Sequence, residues 1–172
     1  VLVVMAIALL ATLANVDLTS FGYIITAMLI GSVIGAILAK KVEMTGMPEL
    51  IAMLHSFVGL AAVLVGYSSF LELSASGGKT HFDSTLLTIE LTEIFLGGFI
   101  GALTFTGSIV AFGKLRGLIH SKALALPGKN ILNLLAVGIS AVMMVLFINQ
   151  GGSFVFLGVM TGISLLFGLH LV

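Results

Sequence analysis

Long apolar stretches separated by short polar punctuation run the length of the chain. The first is Val1–Ala14, ended by Asn15-Val16-Asp17, and the second covers about Thr19–Ala39 and stops at Lys40-Lys41. A third starts near Met47-Pro48 and runs to Leu71; proline in a first turn costs nothing, because its missing N–H would lack a helical partner anyway. The fourth opens at Ser84, a residue suited to an N-cap, and runs to about Gly113. The fifth covers about Asn130–Ile148 and the sixth about Ser153–Val172. Membrane strands would be about ten residues long and would alternate polar with apolar positions; these runs are longer and do not alternate. The pattern predicts an all-α fold: one polytopic transmembrane bundle of about six helices, near residues 1–14, 19–39, 47–71, 84–113, 130–148 and 153–172.

Composition makes lipid the solvent. Hydrophobic residues make up 59% of the 172 and charged residues only 8%, against about a quarter charged in a soluble domain. Mean hydropathy is +1.29. Net charge is zero and no basic cluster resembles a nucleic-acid surface, so no nucleic-acid partner is expected. Cysteine is absent, which removes disulfides, thiolate metal sites and thiol nucleophiles, and no His/Asp/Glu grouping has metal-ligand spacing. The opening Val1-Leu2-Val3-Val4 lacks Met and a charged n-region, unlike a signal peptide. With a first run shorter than the roughly 20 residues of a span, the chain is expected to be a fragment of a longer subunit.

Loop charges predict orientation. Lys40 and Lys41 follow the second run, and Lys114, Arg116, Lys122 and Lys129 lie between the fourth and fifth. The opposite loops carry Lys79 with Asp17, Glu72 and Asp83. The positive-inside rule puts the basic loops and the C-terminus in the cytoplasm. Two small-residue stripes predict close helix packing: Gly31, Gly35 and Ala39 on the second helix, and Gly97, Gly101 and Ser108 on the fourth.

Ionisable groups at membrane depth are costly and are the first place to seek function. His81, His120 and His170 fall in loops or near the chain end. His55 lies about 12 Å into the third run at 1.5 Å per residue, and Gly59, Ala62 and Gly66 follow within about 40° of it on the helix. Such a groove beside an imidazole leaves room for a helix or water, and imidazole switches charge near neutral pH. A proton-transfer role and a structural interhelical hydrogen bond both fit. Glu90 and Glu93 open the fourth run; a carboxylate there complements the helix dipole, the simpler reading for Glu90, while Glu93 shares a face with Gly97, Gly101 and Ser108 and could line an outer proton entrance. The hydroxyl of Ser108, well inside that helix, could equally bond to its own backbone. Asn133 and Ser140 on the fifth helix are weaker signals.

Three blocks resemble one family. The run Lys40-Lys41-Val42-Glu43-Met44-Thr45-Gly46-Met47-Pro48-Glu49-Leu50, continuing through Leu54-His55-Ser56-Phe57-Val58-Gly59 to Gly66, is similar to the membrane domain of the β subunit of proton-translocating NAD(P) transhydrogenase. So are Leu91-Thr92-Glu93-Ile94-Phe95-Leu96-Gly97 with Gly101-Ala102-Leu103-Thr104-Phe105-Thr106-Gly107-Ser108 and Ala111-Phe112-Gly113-Lys114-Leu115, and the ending Phe167-Gly168-Leu169-His170-Leu171-Val172. The resemblance implies an enzyme complex that couples inward proton flow to hydride transfer from NADH to NADP⁺. It implies that NAD and NADP bind separate soluble domains while this segment binds no cofactor. It implies partners among other transhydrogenase membrane helices and subunits, a dimer of the whole complex, and a bacterial inner membrane as the expected location. By the same resemblance His55 is the principal protonatable group, with Ser108 and Glu93 on a possible proton path. The alternative is an ion- or solute-coupled secondary transporter or channel subunit in which His55 binds the solute; a purely structural scaffold is a third reading.

Overall fold

The computed structural model describes residues 2–14, 18–75, 84–120 and 129–172. Asp17, Lys79, His81, Asp83 and Lys122, on which part of the orientation reading and one candidate histidine rest, lie outside these residues, as does the side chain of Lys129. Six α-helices account for nearly all of what is described: α1 Leu2–Ala14, α2 Leu18–Lys41, α3 Met47–Ala75, α4 Ser84–Leu115, α5 Lys129–Asn149 and α6 Phe154–Leu171, with a 3₁₀ turn at Met44–Gly46. The predicted ends fall within a few residues of these bounds. Five helices, α2 to α6, are long and apolar enough to cross a bilayer. α1, with 13 residues, is about 20 Å long at 1.5 Å per residue, short of the roughly 30 Å hydrocarbon core.

The chain divides into two compact units, Val1–Met44 and Thr45–Val172. In the first, the apolar window of α2 has no buried residue, and a Cβ added at Gly31 or Gly35 would meet nothing within 4 Å. The packing expected of that glycine stripe is not made among the described residues.

In the second unit α3 and α4 run antiparallel in close contact, because glycine removes the side chains that would hold them apart. A Cβ on Gly59 would come within 2.6 Å of the Phe105 backbone nitrogen and 2.7 Å of the Gly101 carbonyl oxygen. A Cβ on Gly101 would meet the Gly59 carbonyl at 2.8 Å and the Ala62 methyl at 2.9 Å. Gly97, on the same predicted stripe, has nothing within 4 Å. The stripe therefore splits, with Gly101 packing and Gly97 open.

α6 lies parallel to α4 on another side, and Gly168 sits so close to the Thr106 hydroxyl and the Leu103 carbonyl that no Cβ would fit. α5 and α6 form a hairpin. Its turn is closed by Gly151 and Gly152 at φ 64° and 84°, a left-handed conformation that suits glycine, with the Gly152 N–H donating to the Phe147 carbonyl at 2.9 Å. The core joins all four helices: Phe70 and Leu73 of α3, Leu91, Ile94 and Phe95 of α4, Phe147 of α5, and Leu157 and Met160 of α6. Phe147 stacks at 5.6 Å from Phe95 and 5.9 Å from Phe70.

Because the atoms facing Gly59 are backbone and cannot rotate away, Gly59→Ala should destabilise the detergent-solubilised protein by about 1–3 kcal/mol. Gly97→Ala should leave it unchanged. Thermal melting of both variants checks the contrast, and equal melting temperatures would count against this packing.

Candidate functional site

Most hydroxyls on these helices are used locally. Ser56 Oγ donates to the Met53 carbonyl at 2.7 Å, Thr106 Oγ1 to Ala102 at 3.2 Å, Ser140 Oγ to Ala136 at 2.8 Å and Ser164 Oγ to Met160 at 2.8 Å. Among the described residues one hydroxyl pair crosses between helices. Tyr67 Oη lies 3.0 Å from Thr161 Oγ1, and Thr161 already gives its proton to the Leu157 carbonyl at 2.8 Å. The phenol is therefore the donor, tying α3 to α6. The Tyr67 ring also meets Phe154 edge-on at 5.8 Å. Asn133 Oδ1 is buried with no hydrogen-bond partner among the described residues.

On the flank of α3 away from Tyr67 the α3–α4 pair leaves a groove of about 340 Å³. Ala62, Gly66 and Ser69 line it from α3, and Glu90, Glu93 and Gly97 from α4. Gly66, Gly97 and Ala62 lower part of its walls, Val65 and Ile94 form the rest, and two carboxylates one turn apart stand over it. Glu93 is exposed and Glu90 half-buried. The sequence reading kept Glu90 as a helix-dipole partner only; the structure gives it a wall of the same groove. Its signal was the i, i+3 spacing, which puts both carboxylates on one face.

His55 lies on the same flank, below the groove. Its side chain is exposed on the surface of the Thr45–Val172 unit. Ser56, Gly59, Gly66, Phe70 and Leu73 are the buried residues of α3; Leu73, five turns from His55, stands at the same angle but in the core cluster shared by α3 to α6, so the exposure of His55 follows from its position along α3. Because α3 and α4 are antiparallel, one turn back from Gly59 is level with one turn on from the Gly101–Phe105 segment it touches, which brings His55 to the level of Gly107–Ser108. Ser108 is half-buried and lies five turns from Glu90 on one stripe of α4; among the described residues its hydroxyl bonds to nothing. Glu93 is remote from this pair. Its level on α3 is that of Ser69, roughly 21 Å from His55 along the helix.

The structure thus brings His55 and Ser108 to one level and sets Glu93, with Glu90, at the far end of the same flank. His120 is exposed beyond the end of α4, and His170 is half-buried in the last turn of α6. No group of three or more His, Asp or Glu able to hold a metal occurs among the described residues.

A family model described as NAD(P) transhydrogenase beta subunit matches residues 1–172. The chain belongs to this family. It is 45% identical over 127 residues to the NAD(P) transhydrogenase subunit beta of Rhodospirillum rubrum, and a second sequence from that organism gives the same figures. The match covers 72% of this chain and 26% of the relative, so the chain spans about a quarter of the length of the curated beta subunits it matches. Membership makes this a multi-pass membrane segment of a transhydrogenase beta subunit, whose apolar helices α2 to α6 fit a membrane domain.

Replacing Tyr67 with Phe should remove the α3–α6 tie and little else. The expected loss is about 0.6 kcal/mol, the average for a hydrogen bond between membrane helices. Thermal melting of Tyr67→Phe beside Thr161→Val should show equal and non-additive losses; independent, additive losses would mean that the two hydroxyls do not bond.

Proposed function

We propose that this segment carries protons for the hydride exchange between NADH and NADP⁺ made by the complete transhydrogenase. Both nucleotides are bound outside the segment, on soluble domains of the assembled complex. The observation that carries the reading is the single flank of the α3–α4 pair on which His55, Ser108, Glu90 and Glu93 all stand. The groove on that flank runs from Ser69 and the two glutamates as far as Ala62 and Gly97, toward the level of His55 and Ser108. The close glycine contact at Gly59 and Gly101 closes any passage between these two helices. The track therefore runs along their outer side, where other membrane helices of the complex cover it and leave water between.

In this arrangement His55 takes up and releases the proton. Imidazole is suited to that because it changes charge near neutral pH. The Ser108 hydroxyl, at the same level, can accept from an imidazole N–H and donate to a water, so it orients the transfer. Glu93, with Glu90 beside it, forms the mouth at the far end. Protonation of His55 and the NADP(H) state of the soluble domain bias the same alternating-access equilibrium, which is how two distant sites become coupled. The hydride step belongs to the nicotinamide rings. The basic residues Lys40, Lys41, Lys114 and Arg116, at the ends of α2 and α4, set those ends in the cytoplasm by the positive-inside rule. The C-terminus of α6 is then cytoplasmic, in a bacterial inner membrane, with the complete enzyme a dimer.

In proteoliposomes containing the reassembled complex, His55→Ala should abolish proton pumping while hydride exchange between bound nucleotides continues. Full pumping by that variant would refute the role. The surroundings of His55 are tested separately. This chain has no cysteine, so in a complete complex with the cysteines of its other parts replaced, His55→Cys should react with a water-soluble thiol reagent, and Ser56→Cys, at a buried position, should resist it. A His55→Cys thiol that stays inert would place this position against lipid and rule out a hydrated track.

A further inference from the structure

Two neighbours hold α4 on opposite sides at one level. Toward α3 the seam at Gly59 and Gly101 reaches Phe105. Toward α6 a Cβ on Gly168 would overlap the Thr106 hydroxyl and stand 2.5 Å from the Leu103 carbonyl oxygen and 3.2 Å from the Gly107 nitrogen. Two of these three neighbours are backbone and cannot rotate away. Among the described residues Gly168 is the one glycine of α6 so placed: Gly162 has nothing within 4 Å, and Gly158 faces only the Tyr67 hydroxyl, at 4.0 Å. Further along the pair, Gly98 of α4 meets the side-chain ends of Met160 and Leu157, at 3.3 and 3.9 Å, which can yield. The approach of α6 to α4 is therefore limited at Gly168, and the limit falls on the turn of α4 that ends at Ser108.

We propose that Gly168 is a positioning residue for proton transfer, setting from the far side of α4 where the Ser108 hydroxyl stands relative to His55. The inference rests on the reading of His55 and Ser108 as the transfer pair. At 100° per residue Ser108 lies within about 20° of Gly101, on the α3 side of α4, and about one turn past the seam contact at Phe105. Bulk added at Gly168 pushes on Thr106 and Gly107. The backbone of α3 resists that push at Phe105, so the Thr106–Ser108 turn tilts about the seam. Ordinary contact with the Leu103 carbonyl begins at 3.4 Å, which asks for about 1 Å of movement; a misplacement of about 1 Å can cost about 100-fold in rate.

The test measures proton pumping by the complete complex in proteoliposomes. Gly168→Ala should lower pumping by up to about 100-fold while hydride exchange between bound nucleotides continues. Gly107→Ala brings a methyl into the same interface at ordinary contact, 3.5 Å from the Gly168 carbonyl oxygen, and should pump like the wild type. The deciding readout is the combination with Ser108→Ala. Because Gly168 acts through Ser108, adding Gly168→Ala to Ser108→Ala should lower pumping no further, the non-additivity expected of coupled residues. Losses that multiply would reduce Gly168 to a packing residue and overturn the proposal. Wild-type pumping by Gly168→Ala beside a defective Ser108→Ala sinks this proposal alone, and so does an equal loss in Gly107→Ala. Normal pumping by Ser108→Ala refutes the part given to that hydroxyl, and the proposal falls with it. If Gly168→Ala does not assemble, Thr106→Ala takes its place, removing the side chain that faces Gly168 and adding no volume. Its loss should also vanish in the Ser108→Ala background; multiplying losses, or no loss at all, would overturn the proposal.

Discussion

Inside a bilayer two helices gain nothing from hiding apolar surface, since the lipid is as apolar as they are; they stay together only if their backbones come close enough for dispersion and polar contacts to act. In this chain that condition is met at Gly59 and Gly101, each of which faces backbone of the other helix at a distance no side chain could occupy. The contact fixes the register of α3 against α4. Register in turn decides which residues share a level, and so sets His55 level with Ser108 and Ser69 beside the two glutamates. The polar flank is a consequence of the glycine seam.

The same economy governs polar groups away from the seam. Hydroxyls on the buried faces give their protons to carbonyls of their own helix, so they add no demand on a neighbour. Tyr67 is the exception, and its bond to Thr161 attaches α6 to the helix that bears His55. α6 is also pressed against α4 at Gly168, within a turn of Ser108 on its far side. A displacement of α6 would therefore be felt at two levels, near Ser108 through Gly168 and about 18 Å along α3 from His55 through Tyr67.

Helix number, order and ends were legible in the sequence because in lipid every backbone polar group must be paired within its helix, and the few polar clusters mark where water begins. Rotation about each helix axis was much less legible. Gly97 and Gly101 share a stripe, yet only Gly101 meets a neighbour, since the stripe does not say where along its length the partner crosses. His55 was correctly placed within about 40° of Gly59 and Gly66, but Leu73, at the same angle five turns on, is buried while His55 is exposed, so angle alone does not say where along a helix its neighbours end. Glu90 has an adequate local reason to stand at a helix start, which hid its place in the groove. The attachment of α6 was missed, although Ser164 and Gly168, small residues four apart and both buried, carried the signal for it. Family resemblance supplied what periodicity could not, a reason to single out His55 and Ser108 among several polar residues.

The two-glycine turn between α5 and α6 bears on how the protein enters the membrane. From Asn130 to Val172 there is no Lys, Arg, Asp or Glu, and the backbone at Gly151 and Gly152 folds the chain back within two residues. On the proposed orientation the tip that crosses the bilayer is Asn149-Gln150-Gly151-Gly152-Ser153, polar but uncharged. Transferring a charge to the bilayer centre costs about 2.5–3.5 kcal/mol even on translocon scales, and this tip incurs none of it. The pair can thus partition into lipid as one preformed unit during biosynthesis, and dock afterwards against helices already in place.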